Sequence, residues 1–114
     1  MRVELEVFSG RPNPAWELSE QEASELARLH ALLGHSPSDR PLPEGLGYRG
    51  FRVAPFQAHE QLIVWRDIVQ VAQSGRASQW SDPDRSLERW LLDTARAHVE
   101  PGLLGTIRSL VDAQ

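Results

Sequence analysis

Residues 9–16, SGRPNPAW, separate two segments of different hydrophobic period. Before them, residues 2–8 alternate apolar and polar side chains, which predicts a half-buried β-strand. After them, Ser19 and Glu22 have the spacing of a capping box, so an α-helix is predicted to begin at Glu20. Because two prolines and a glycine interrupt both kinds of element, the chain must turn here. The N-terminal part is therefore predicted to contain both strand and helix.

The middle of the chain is predicted to hold the remaining strands. The first helix is predicted over residues 20–33, with Gly34 as its left-handed C-terminal residue. Residues 36–47 contain three prolines and two glycines and are predicted to be a loop. Residues 48–55 are predicted to be a strand. Residues 61–72 fit a helical stripe, but their many Ile and Val residues favour a strand, which is the assignment made here.

The C-terminal part is predicted to be mainly helical. Residues 74–81 are assigned to a loop, and the Asp-Pro pair at Asp82 predicts the start of a second helix. Its apolar side chains keep the helical period as far as His98, and a short last helix is predicted over residues 103–111. The order β-α-β-β-α-α predicts an α+β fold, with a small three-stranded sheet and helices packed on one face. Residues 1–114 are expected to form a single globular domain.

The composition excludes several kinds of chemistry. The chain has no cysteine, and all twelve basic residues are arginine, which excludes disulfides, thiolate metal sites and lysine Schiff bases. The net charge of −4 argues against nucleic acid as a partner. No apolar run has the length of a membrane span or the pattern of a signal peptide, so we expect a cytoplasmic protein that does not bind membranes. We expect no cofactor.

Three segments resemble a known family. They are FSGRPNPAWELS at residues 8–19, GLGYRGFRV at residues 45–53 and LERWLLDTA at residues 87–95. Together they resemble an uncharacterised family of small bacterial and fungal proteins, of which the N-terminal SGRPNPxW-type motif is the most distinctive feature. The resemblance carries over no activity, cofactor or catalytic residue. It implies a single domain.

Five residues are predicted to form a ligand-binding site. We expect the first two predicted strands to lie parallel, joined by a right-handed crossover through the first helix. The 9–16 loop, the turn after the second strand and the end of the second helix would then meet at one edge of the sheet. Ligands favour the carboxyl ends of strands in such sheets. The predicted ligand-binding residues are Arg11, Asn13, Trp16, His59 and His98.

The 9–16 loop itself supports two interpretations. In the first, it is a rigid turn in which Pro12 presets φ, Asn13 tolerates a left-handed conformation and Trp16 covers the edge of the core. In the second, Arg11 is a planar donor fork, Asn13 an amide contact and Trp16 a stacking wall. Those three groups suit a carboxylate, a peptide or a planar polar ligand. The sequence leaves both interpretations open.

The sequence favours an interaction module over an enzyme, because it contains no nucleophile elbow, phosphate-binding glycine loop or metal-ligand spacing. The expected partner is a protein, a peptide or a small molecule bound through the 9–16 loop, and no metal site is predicted. The alternative is a small metal-dependent or acid-base enzyme that uses His59, His98 and a carboxylate such as Glu60 or Glu100. A third hypothesis is a homo-oligomer with Phe8 or the terminal helix at its interface.

Overall fold

A computed structural model describes residues 1–35, 40–45 and 47–112. Its strands are β1 (Arg2–Leu5), β2 (Ala15–Glu17), β3 (Gly34–His35), β4 (Phe51–Ala54), β5 (Gln61–Trp65), β6 (Ile68–Gln73) and β7 (Arg76–Ser81). Its helices are α1 (Glu20–Ala31), α2 (Ser86–Thr94) and α3 (Pro101–Asp112), with a 3₁₀ turn at Ala95–Ala97. The described strands form one antiparallel sheet in the order β2-β1-β4-β5-β6-β7-β3.

One face of this sheet carries the hydrophobic core. Leu5 lies opposite Phe51, and that row continues through Val64 and Val69. Because successive strand residues point to opposite faces, each such row lies on one side of the sheet. The rows pack in a single cluster with apolar helix residues, which are Leu26, Leu87, Leu91, Leu92, Ile107 and Val111. The helices therefore cover one face of an α+β fold, and none of the described helices is long and apolar enough to cross a membrane.

The predicted three-stranded sheet is wrong, because strands also occur where loops were predicted. Residues 61–72 are extended as assigned, but they form the two strands β5 and β6, with the turn between Trp65 and Ile68. Strand β7 lies in residues 74–81, which were assigned to a loop. Its first three residues are exposed, so it lacks the apolar alternation by which strands are found in a sequence. Pairing with β6 along its whole length makes it a strand.

Helix α1 begins as predicted but ends early. The Ser19 hydroxyl accepts the N–H of Glu22 at 3.1 Å, and the Glu22 carboxylate accepts the N–H of Ser19 at 2.9 Å, which confirms the capping box. The helix ends at Ala31, and Gly34 has no positive φ, so the predicted left-handed cap is wrong. The physical reason is tertiary, since Gly34 pairs with Ser81 of β7 and is drawn into the sheet.

The predicted start of the second helix at the Asp-Pro pair is wrong, because α2 begins at Ser86, but the Asp82 side chain still binds the first turn of the helix. Its carboxylate accepts the N–H of Leu87 at 2.8 Å and the hydroxyl of Ser86 at 2.9 Å. A left-handed residue, Arg85 with φ 56°, directly precedes the first helical residue, so Pro83 lies in a turn outside the helix. The terminal helix is confirmed and begins at Pro101.

The segment before β4 crosses the sheet face opposite the helices. Arg40 donates its N–H to the Gln79 side chain at 2.8 Å and accepts from that amide at 2.7 Å. Its guanidinium also bonds Asp67 at 3.0 Å. Residues 40–45 contain no helix or strand, in agreement with the predicted loop. Residues 36–39 and 46 of that loop lie outside the described residues.

A buried carboxylate, that of Glu88, joins three segments of the chain. Its side chain is 0% exposed. One oxygen accepts from the Arg85 guanidinium at 2.7 Å, and the other accepts from the Tyr48 hydroxyl at 2.5 Å and the Arg66 N–H at 3.1 Å. A carboxylate away from water is tolerated only with such donors. Arg66 and Arg85 have φ near 55° and 56°, and both bring a donor to this one group.

Replacing Glu88 with alanine should lower the free energy of unfolding by about 3–5 kcal/mol, because the Arg85 guanidinium and the Tyr48 hydroxyl then lose their buried partner. Urea unfolding followed by circular dichroism measures this loss. Glu44→Ala, which removes an exposed carboxylate, is the control and should change stability by less than about 0.5 kcal/mol. Similar losses in the two variants would show that Glu88 does not organise the fold.

Tyr48 should remain protonated in the folded protein at high pH. Burial, and then the negative charge of Glu88, raises the pKa of Tyr48 far above its ordinary value of 10.0. The unfolded chain releases this proton near pH 10 and the folded chain keeps it, so the contribution of Tyr48 to stability is constant below about pH 10 and falls above it.

Tyr48 is the only tyrosine, so phenolate absorbance reports on it alone. We expect this absorbance to rise only when the protein unfolds at alkaline pH, as followed in parallel by circular dichroism. Tyr48→Phe is the control and should lack both the absorbance and the associated decline in stability. A reversible titration near pH 10 in the folded protein would contradict the buried hydrogen bond to Glu88.

Candidate functional site

The sheet topology separates the predicted site residues. Strands β1 and β4 are antiparallel, with Arg2 opposite Ala54 and Leu5 opposite Phe51, so the expected parallel arrangement is wrong. The physical reason is that β2 turns back beside β1 before α1 begins, and the first helix does not cross over to β4. The carboxyl ends of the neighbouring strands β1 and β4 therefore point in opposite directions along the strand axis. His59, which follows β4, lies far from the tip of the 9–16 loop.

Trp16 and His98 are the two predicted site residues that come into contact. Their ring centroids are 5.8 Å apart and their planes differ by 2°, so the rings are stacked. Trp16 is only 5% exposed, and its indole N–H donates to the Thr94 hydroxyl at 3.1 Å. The hydrogen bond to Thr94 attaches the end of α2 to the edge strand β2. Trp16 thus belongs to the core, and the exposed His98 covers its outer face.

Asn13 holds the 9–16 loop from within. Its side-chain oxygen accepts the N–H groups of Val7 at 3.0 Å and Phe8 at 2.6 Å. Its side-chain nitrogen donates to Glu4 at 3.2 Å and to Glu6 at 3.1 Å. A carboxamide offers two donors and one oxygen with two lone pairs, so its hydrogen-bonding capacity is used inside the chain. These contacts favour the turn interpretation for Asn13.

Arg49 fastens the same loop from outside. Its guanidinium donates to the Phe8 carbonyl at 3.1 Å and lies 3.7 Å from the Glu6 carboxylate. Burial, and then repulsion from Glu4, raises the pKa of Glu6, while Arg52 and Arg49 oppose that change. The loop is therefore supported by a partly buried charge cluster.

Arg11 is the exposed charged residue of the loop. Its guanidinium carbon lies 3.8 Å from the centroid of the Phe8 ring, which is a cation–π contact. It makes no ion pair with a described residue, so its guanidinium is accessible to a partner. A ligand-binding role for Arg11 stays a prediction.

His59 lines a groove that the sequence did not predict. This His59 groove has a volume of about 540 Å³, and its walls are His59, Val71, Gln73, Ser74, Arg76, Ser78 and Trp80. The register pairs Val71 with Ser78 and Gln73 with Arg76, so these side chains share the face that carries the core. Val71 is buried in that core, whereas Gln73, Arg76 and Ser78 are exposed. The groove thus continues the core face past the helices.

The His59 groove combines uncommitted polar groups with an apolar wall. Nδ1 of His59 is buried and has no hydrogen-bond partner in the described part of the chain. Arg76 is paired with Gln73 in the sheet, but its guanidinium forms no hydrogen bond or ion pair with any residue of that part. Trp80 forms an aromatic wall, and His30 packs against it with ring centroids 4.7 Å apart. No carboxylate is among the lining residues, and that of Glu60 accepts the N–H of Ser74 at 2.6 Å at the hairpin turn.

Most of the groove residues were missed because residues 74–81 were assigned to a loop. The signal that identifies them is the Ser-Gly pair at residues 74–75, which lies between two extended segments. Ser74 has φ 51° and Gly75 has φ 78°, as a two-residue type I′ hairpin requires. Recognition of that turn places alternate residues of β7 beside those of β6.

The structure does not bring together the predicted alternative pair of His59 and His98. His98 stacks on Trp16 in the edge strand β2, whereas His59 lies beside Val71 in β6. Four strand spacings separate β2 from β6, which is roughly 20 Å at about 4.8 Å per spacing. Among the described residues, no group of three or more His, Asp or Glu side chains is arranged to hold a metal ion.

Asn13→Ala should lower the free energy of unfolding by about 1–3 kcal/mol, because the N–H groups of Val7 and Phe8 lose their acceptor. Thermal unfolding measures the change. Arg11→Ala in the same loop is the matched control, and its midpoint should stay within about 4 °C of the parent protein, a shift below 1 kcal/mol at this size. If Arg11→Ala proves the more destabilising variant, the loop is not held by Asn13.

Comparison with known proteins does not indicate a function for this chain. No protein-family model, no curated protein and no solved structure matches this chain. The family that the SGRPNPxW-type motif suggests therefore stays a prediction. What the protein does has to be argued from the loop, the stacked pair and the His59 groove.

Proposed function

We propose that the protein is a binding module and that the His59 groove holds a small polar ligand. One observation carries this proposal: the Arg76 side chain and His59, whose buried Nδ1 has no partner among the described residues, line the same groove as Trp80. Ligand pockets typically enclose about 300–1,000 Å³ and combine an apolar lining with a few polar groups. A groove of about 540 Å³ with these walls fits that description.

The contacts within the groove favour binding over nucleophilic catalysis. A serine nucleophile needs a base within hydrogen-bond reach. Ser74 and Ser78 both line the groove, but neither side chain is hydrogen-bonded to His59 in the described residues. The groove therefore supplies donors and a flat wall for a ligand, and no assembled serine–histidine pair.

We assign the ligand to the groove rather than to the 9–16 loop. Asn13 and Trp16 have already used their polar atoms inside the chain, so neither has a donor left for a ligand. Arg11 is a separate contact point at which a protein or peptide partner could bind. The cytoplasmic location and the homo-oligomer inferred from the sequence stay predictions.

The test uses three probes that share one aromatic ring and differ in charge: benzoate, benzamide and benzylammonium. Proton–nitrogen NMR spectra of the labelled protein should show shifts at the backbone amides of Gln73, Ser74 and Arg76 with at least one probe. Ser78→Phe places a ring in the groove and should abolish those shifts. Ala77→Phe, on the opposite face of β7, is the matched control and should preserve them.

Either of two results would overturn the proposed function. The first is the absence of shifts at the groove amides with all three probes. The second is a set of shifts that persists unchanged in Ser78→Phe, because the probes would then be bound elsewhere. Circular dichroism of both phenylalanine variants establishes that they are folded.

A further inference from the structure

We infer that the ligand of the His59 groove carries a carboxylate beside a flat apolar group, an inference that rests on the proposed function. The lining residues include one guanidinium, from Arg76, and no carboxylate. A cationic group without an acidic neighbour in its own groove is complementary to an anion.

Most of the other arginines differ from Arg76 in their side-chain contacts. Ion pairs with described carboxylates engage seven of them, namely Arg28, Arg40, Arg49, Arg52, Arg85, Arg89 and Arg108. Arg11 and Arg66 instead lie over aromatic rings. Arg2, Arg76 and Arg96 have neither kind of contact among the described residues, and of these three only Arg76 lines the His59 groove. A guanidinium presents a planar donor fork that matches the two oxygens of a carboxylate.

His59 supplies the second polar contact. A buried nitrogen without a hydrogen-bond partner destabilises a folded protein, and a ligand that provides the partner removes that penalty. With the proton on Nδ1, the imidazole donates to a carboxylate oxygen. Arg76 and His59 are both lining residues of the groove, so we expect both to contact the anionic group.

Trp80 and Val71 define the rest of the ligand. Val71 is an apolar lining residue from the core, and Trp80 adds an aromatic surface. His30 packs against the indole at an interplanar angle of 66°, which holds the ring in the groove wall. A flat apolar group beside the carboxylate can cover this surface. Such a ligand is either a small aromatic acid or the C-terminal carboxylate of a peptide that ends in an aromatic residue.

The experiment compares two acids with their neutral amides in NMR titrations. Benzoate and benzamide represent the small molecule, and N-acetylphenylalanine and its amide represent the peptide end. At least one acid should bind about tenfold more tightly than its amide, the factor expected from one charge-assisted hydrogen bond. Preference for benzoate identifies a small acid as the ligand, and preference for N-acetylphenylalanine identifies a peptide C-terminus.

Arginine variants test the role of the guanidinium. Arg76→Gln should reduce the affinity for the preferred acid about tenfold and leave the affinity for its amide unchanged. Arg76→Lys keeps the charge but loses the fork, so its affinity should be intermediate. Arg96→Gln removes an exposed charge on the 3₁₀ turn after α2 and should have no effect.

Two outcomes overturn the inference about the carboxylate. One is that both amides bind at the groove as tightly as their acids, and the other is that Arg76→Gln binds the preferred acid as tightly as Arg96→Gln does. In both cases ligands still bind in the groove, so the proposed binding function survives. Absence of groove shifts with every probe instead overturns the binding function itself.

Discussion

The fold depends on one carboxylate that has no access to water. Glu88 of α2 accepts hydrogen bonds from the Tyr48 hydroxyl before β4, from the backbone of Arg66 after β5 and from Arg85 at the start of α2. A charge in this position is stable only while all three segments stay in place, because each supplies a donor. The carboxylate thus sets where the helix layer begins relative to the centre of the sheet. Gly50 contributes to the same packing, since a Cβ there would lie 2.2 Å from the Val64 carbonyl oxygen.

The helices cover the central strands of the sheet but leave the hairpin between β6 and β7 exposed. The core rows run through the central strands, where the apolar side chains are fully buried. At the hairpin between β6 and β7, the same face continues with the polar residues Gln73, Arg76 and Ser78, which remain exposed. This part of the face continues the surface of the core, but its side chains are polar and open to solvent. The His59 groove is therefore a consequence of a sheet that extends past its helices.

The most distinctive sequence motif has a structural explanation. In SGRPNPAW, the Asn13 side-chain oxygen accepts the backbone N–H groups of Val7 and Phe8, and Trp16 anchors the edge strand to Thr94. The motif also meets a second distinctive segment, since the Arg49 guanidinium of GLGYRG reaches the Phe8 carbonyl. The unusual composition of residues 9–16 is therefore explained by the contacts that hold a tight turn. The less distinctive hairpin at residues 73–76, which was assigned in part to a loop, lines the groove to which we assign the ligand.

Local chemistry by itself determined several elements. The capping box of Ser19 and Glu22, the alternation of residues 2–5 and the extended character of residues 61–72 could all be predicted, because their hydrogen bonds and periods involve near neighbours. Tertiary structure decided the antiparallel pairing of β1 with β4, the short strands β2, β3 and β7, and the separation of His59 from His98. It also decided that Glu88 is buried, since its donors Tyr48 and Arg66 lie 40 and 22 residues away in the sequence. Such pairings depend on which segments meet in space, and no local period encodes that.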